Sequence, residues 1–229
     1  MTTSGTFVTL DIAQIIGEAY ERVGRDQQEL NAGHMRTART SLQMIFSGWE
    51  NTGARVWTLD EETYTCVEGT DTFYAPENTV DVLDGIIRSD SADIPLTRIA
   101  RIDYEGIPDK TNSGKPDRFW CNRSVEPFPV KLYPVPDAGP YAIRYWRIRR
   151  LYDVTAGQQT PDVPFRWVDA LTATLALRLF DKLPLAERVA NMAVRPTLKN
   201  EADAAFKVAS DADRDRAPTA ILPAYYDDN

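Results

Sequence analysis

The sequence predicts an α+β protein: a helical bundle formed by N- and C-terminal helices, carrying an inserted antiparallel β-rich domain. Three observations lead there. Apolar residues recur at helical spacing before Gly53. Between Gly53 and Asp153 short segments rich in Val, Ile, Tyr and Trp alternate with Pro, Gly and Asp, and helical spacing returns at Pro164. The expected boundaries are 1–53 and 160–216 for the bundle, 54–159 for the insertion and 217–229 for a C-terminal tail.

Asp11 is the predicted N-cap of the first helix, whose apolar face is Ile12, Ile15, Ile16, Ala19, Tyr20 and Val23, with Gly24 as its stop. A second helix is expected from about Gly33 to Trp49, with Met35, Ala38, Leu42, Ile45, Phe46 and Trp49 along one stripe. In the insertion, Val56–Leu59, Phe73–Tyr74, Val80–Leu83, Gly85–Arg88, Val130–Tyr133 and Tyr141–Trp146 are the expected strands, with a helical turn near Asp103–Glu105. The helix after Pro164 is apolar on almost every side, which predicts the buried centre of the bundle. From Leu185 a further helical stretch is expected to about Arg216, broken or kinked at Pro196, with Leu198, Ala202, Ala205, Ala209 and Ala212 as a narrow seam.

Composition narrows the function. The 229 residues are 43% hydrophobic and 26% charged, a globular balance, and no apolar run approaches a membrane span. The first residues lack the pattern of a signal peptide, so a cytoplasmic folding environment is expected. Cys66 and Cys121 then read as buried thiols, a disulfide between them being the lesser alternative. The formal net charge of −8 disfavours gripping duplex DNA, whose affinity comes mainly from neutralised phosphates.

The residues of catalysis are scarce. The single histidine, His34, sits at the start of the second helix with no Gly-x-Ser-x-Gly elbow to serve, so it reads as a surface or cap residue. Metal sites built on His or Cys lack ligands, and no metal or cofactor is expected. Asp211, Asp213 and Asp215 begin like a calcium loop, but Arg216 stands where the turn needs glycine and Leu222 where a bidentate Glu belongs. Gly114-Lys115 could end a phosphate loop, yet Asp109 replaces its first glycine and Pro116 follows the lysine. The expectation is a protein that is not an enzyme.

Two surface features remain. Arg144, Arg147, Arg149 and Arg150 form the basic cluster; on a strand Arg144 and Arg150 face one way and Arg147 and Arg149 the other. That two-sidedness suits ion pairing to neighbouring acidic subunits or domains better than a nucleic-acid face. Ile221, Leu222, Tyr225 and Tyr226 make an apolar-aromatic tail, which either folds back on its own core or, the favoured reading, docks on a partner.

Several stretches together resemble the podophage head-to-tail adaptor family that includes tail tubular protein A. They are Ala38–Leu42 through Trp49–Gly53 to Val56-Trp57; Val80–Asp84 with Ile94–Ile99 and Asp103-Tyr104; and Gly114–Pro116 leading to Phe119-Trp120. Leu132–Asp137 with Tyr141 and Arg144–Trp146, and Thr160–Pro164 with Ala170-Leu171, complete the series. Their order and spacing over residues 38–183 carry the match. The resemblance implies a structural protein of the virion neck, assembled in the host cytoplasm as a dodecameric ring beneath the portal and linking it to the tail nozzle. Packaged DNA would pass through that ring without specific binding, and no membrane partner is implied. The alternative is a virion channel or neck protein that contacts the DNA directly.

Overall fold

The structure is a computed structural model that describes residues 10–52, 58–89, 92–153 and 159–213. In chain order the elements are helices α1 (Ile12–Arg22) and α2 (Ala32–Thr52), strands β1 (Leu59–Thr65), β2 (Thr72–Tyr74), β3 (Thr79–Ser89) and β4 (Ala92–Arg98), and the short helix α3 (Arg101–Glu105). Strands β5 (Ser113–Gly114), β6 (Arg118–Cys121), β7 (Pro129–Tyr133), β8 (Val135–Pro136) and β9 (Tyr141–Arg149) precede helices α4 (Val168–Phe180), α5 (Leu185–Ala190) and α6 (Val194–Ala212). The protein is α+β and divides into two compact units, Met1–Ala54 with Val154–Asn229, and Arg55–Asp153.

In the first unit, α1 starts where its cap dictates. The Asp11 carboxylate accepts from the Gln14 N–H at 2.8 Å and the Gln14 side chain accepts from the Asp11 N–H at 3.0 Å, a reciprocal capping box. Ile12, Ile15, Ile16, Ala19 and Tyr20 are buried, and Gly24 follows at φ 87°, a left-handed conformation that glycine adopts without a Cβ clash. Helices α1, α2 and α6 all pack on α4, whose Leu171, Leu175, Ala176, Leu179 and Phe180 are buried. Trp167, in the 3-10 turn that leads into α4, is 0% exposed and meets Trp49 of α2 at 5.0 Å and Phe206 of α6 at 5.3 Å between ring centroids. Its indole N–H donates to the Asp213 carboxylate at 2.6 Å, so the buried polar atom is satisfied.

The stretch from Leu185 divides differently from the expected kink at Pro196. The break falls at 191–193, between α5 and α6, and Pro196 lies in the first turn of α6. There its missing N–H has no intrahelical partner to lose, so the proline starts the helix instead of bending it. Leu198, Ala202 and Ala209 of the expected seam are buried, whereas Ala212 is exposed.

The second unit is built on a seven-stranded sheet ordered β1-β9-β3-β4-β6-β7-β2. The expected all-antiparallel sheet is corrected here: β4 and β6 run parallel, as do β5 and β8 in a separate two-stranded ladder. The chain reaches β6 from β4 through α3 and the following loop, a connection long enough to return in the same direction. Val80–Leu83 and Gly85–Arg88 are also one strand, β3. Register shifts against β9 between Thr79 and Asp81 and between Val82 and Asp84 absorb the extra residues that looked like a break. Strand β1 is joined to β2 by a short connection although the two lie at opposite edges of the sheet, and Tyr64 stacks on Phe73 at 4.3 Å. The sheet is therefore curled so that its edges meet over a shared core. Phe73, Val82, Ile87, Phe119, Val130, Leu132, Ile143 and Tyr145 fill it.

Candidate functional site

Strand β9 shows how the curled sheet divides its interior. Odd-numbered residues face inward: Ile143 and Tyr145 enter the apolar core, and Arg147 and Arg149 continue the same face. Asp60 and Glu62 of β1 point the same way one strand over, because β1 pairs antiparallel with β9 in the register Asp60↔Arg147 and Glu62↔Tyr145. One end of the interior is thus apolar and the other ionic.

Arg147, 6% exposed, has a full set of partners. Its guanidinium donates to Asp60 Oδ2 at 3.1 Å, Glu62 Oε1 at 3.2 Å, Asn78 Oδ1 at 3.0 Å and Thr79 Oγ1 at 3.3 Å. Asn78 is placed for this by a left-handed turn, φ 68°, ahead of β3. Arg149 lies 3.4 Å from Asp60, donates to the Arg150 carbonyl at 3.1 Å and stacks its guanidinium over the Tyr152 ring at 4.6 Å. The partners expected from neighbouring subunits are, at Arg147 and Arg149, met inside the chain. On the outward face Arg144 pairs with Glu61 at 3.3 Å and Asp93 at 3.5 Å, and Arg150 is exposed. The Arg88 guanidinium grips Asp93 bidentately at 2.7 and 2.8 Å and holds that carboxyl below the usual range.

The other sequence-predicted residues fall into two groups. Ile221, Leu222, Tyr225 and Tyr226, with Asp215 and Arg216, lie outside the described residues, as do Val56 and Trp57. Asn31 caps α2 and His34, the helix's third residue, is its partner: the His34 backbone N–H donates to Asn31 Oδ1 at 3.0 Å, and its ring nitrogens face the Asn31 N–H at 3.3 Å and the Arg25 guanidinium at 3.2 Å. Asp81 pairs with Arg98 at 2.9 Å and lies 3.6 Å from Arg123, a structural ion pair inside the sheet unit. The Asp81 partners were not legible in the sequence, since the pairing of β3 with β4 that brings Arg98 alongside has no local signature.

Chemistry has little to work with here. Burial pushes the Cys66 thiol up to about 11 and the Cys121 thiol up to about 12, so neither is a thiolate near neutral pH. Among the described residues no group of three or more His, Cys, Asp or Glu is placed to hold a metal ion. Between Phe73, Val82, Leu96, Phe119 and Tyr145 the sheet interior leaves about 10 Å³, barely the space of one water. It is a packed core and not a ligand cavity. No helix among the described residues is long and apolar enough to cross a membrane.

Among the described residues the buried arginines of the sheet unit are met by carboxylates of the same unit. The sequence model of the SU10 adaptor protein family matches residues 2–223, nearly the whole chain, and the protein belongs to that family. It is a phage structural adaptor, in agreement with the head-to-tail adaptor resemblance. No curated protein matches the chain.

Proposed function

We propose that the protein forms a ring beneath the portal in the virion neck and links the portal to the tail nozzle, with packaged DNA passing through the ring unbound. The observation that carries this reading is the family match over residues 2–223. The net charge of −8 fits a channel wall that DNA slides past, because an acidic lining repels phosphate. In this reading the helical unit is one bundle made by both ends of the chain, the sheet unit is its insertion, and twelve copies close the ring.

The tail residues Ile221, Leu222, Tyr225 and Tyr226 dock on the portal or on the adjacent copy. Arg144 and Arg150, on the outward face of the sheet unit, are the members of the basic cluster kept for pairing between copies. Arg147 and Arg149 serve the sheet's own ionic end. Co-sedimentation with purified portal rings tests the tail. Protein lacking Ile221–Asn229 stays folded and fails to sediment with portal; normal occupancy by the truncated chain rules out the tail's docking role.

A further inference from the structure

Helices α1, α2 and α6 pack around α4, and the start of α4 is left uncovered between α1 and α6. Helix α2 is tied to α1 by the Tyr20 hydroxyl, which donates to the His34 carbonyl at 3.1 Å. It is tied to α6 by Trp49 and Phe206, whose ring centroids lie 5.9 Å apart. Between α1 and α6 two open grooves remain, of about 690 and 700 Å³, which share Arg22, Arg166 and Asp169 and so form one trough. Ala204, Ala205 and Val208 of α6 wall one part of it, and Leu10, Phe165 and Val168 line the other. Phe165 is 76% exposed and Val208 71%, the highest values for large apolar side chains among the described residues of this unit.

Apart from Glu201, the charges around the trough are met within the unit. Arg22 pairs with Glu18 and Asp169, each at 3.0 Å, and Arg166 pairs with Asp213. Paired in this way they select no charged partner, and the apolar walls suit an uncharged one. Asp213, just past the end of α6, sits at the trough's edge, because Arg166 lines the trough and the Trp167 indole N–H donates to Asp213 at 2.6 Å. The chain that follows therefore leaves beside Phe165. Within it, Ile221–Tyr226 is a run without charge that carries Ile221, Leu222, Tyr225 and Tyr226. At most about 29 Å of extended backbone joins Asp213 to Ile221. Glu201, at the far end of the α6 wall, is about 18 Å back along the helix, so the whole trough is within reach. A linker this short holds the segment at a local concentration on the order of millimolar, which a second copy or any other partner in solution would have to exceed.

We infer that in the free protein the chain's own segment Ile221–Tyr226 lies in this trough and covers Phe165 and Val208. The inference goes beyond the docking role proposed above: the same tail has a place in its own chain, and portal docking proceeds by lifting it out. The trough contact does not depend on the portal and is tested without it.

The test replaces Phe165 by the photo-crosslinking residue benzoylphenylalanine in the full chain, mixes the protein with an excess of isotope-labelled unmodified protein and irradiates. The expected crosslinks join residue 165 to unlabelled peptides containing residues 221–226. Crosslinks to labelled peptides would make the occupant a second copy, and crosslinks to residues 1–9 would make it the other end of the chain. Either result, or no crosslink to residues 221–226, overturns the inference. A second arm measures chymotryptic cleavage after Tyr225 and Tyr226. Val208→Asp, at an exposed position, should leave circular dichroism unchanged and raise that cleavage about tenfold, because cleavage follows the fraction of molecules with the tail released. Equal cleavage of the variant and the unmodified protein overturns the inference and leaves the ring reading standing.

Discussion

Tyr64 and Phe73 stack with ring planes 12° apart, although they belong to the two opposite edge strands of one seven-stranded sheet. In a flat sheet, six inter-strand spacings would hold those edges about 29 Å apart. The contact is therefore a seam, and the sheet's curl depends on it. Phe73 also meets Tyr145 at 5.4 Å, which ties the seam to the strand carrying the ionic end. Phe73→Ala should destabilise the sheet unit by about 3–5 kcal/mol. Hydrogen exchange of the β7 and β9 amides reads this directly; unchanged protection would mean the seam does not hold the curl.

Arg147→Met keeps the length of the side chain and removes its charge. Glu62 would then lose its cation and Asp60 would keep only Arg149, and because both carboxylates reach solvent the expected cost is about 1–3 kcal/mol. Restoring neutrality with Asp60→Asn and Glu62→Gln in the same chain should recover much of the loss. Urea midpoints of the three proteins check the prediction, and equal midpoints would show that the network carries no net stability.

The two thiols predict an alkaline limb. Their folded values of about 11 and about 12 lie above the ordinary cysteine value, so folding favours the protonated form. The stability this supplies is fully present below about pH 8.5 and is lost as pH rises toward 12. Tyr145, pushed up to about 12 mainly by burial, adds to the same limb. Urea midpoints should fall steadily from pH 9 to pH 11, and a thiol reagent at pH 8 should label both cysteines slowly until denaturant is added. Fast labelling of Cys121 in native buffer would contradict its burial.

Trp167→Phe retains a ring among Trp49 and Phe206 but leaves Asp213 without its indole donor. A loss of about 1–3 kcal/mol is expected from the carboxylate left with one fewer partner. Near-ultraviolet circular dichroism and the thermal midpoint of the helical unit should both change.

The helices were the legible part of the fold, for a physical reason. A helix buried on one side writes its periodicity into the sequence, as Ile12, Ile15, Ile16, Ala19 and Tyr20 do, and Asp11 marks its start. Strand β1 was not read because its alternation is carried by charge, and β4 because Pro95 interrupts it. In Leu59–Thr65 the inward positions are Asp60, Glu62 and Tyr64, so the strand reads as a polar loop until Arg147 is known to face it. The orientation of Arg147 and Arg149 on β9 followed from side-chain alternation, but their partners lie more than 80 positions away, at Asp60 and Glu62. Strand pairing across that distance has no local signature. The exposed face of α5 was likewise hidden, since Leu185 and Val189 suggest burial and only the Arg25–Glu187 pair shows which way the helix is turned.

The central claim, a ring that joins portal to tail, is tested most directly by electron microscopy of the purified protein mixed with its portal. The account predicts an added ring of density stacked on the portal's outer end, with a continuous axial channel and twelve copies of this chain. Portal particles that stay bare at saturating concentrations of folded protein would contradict it.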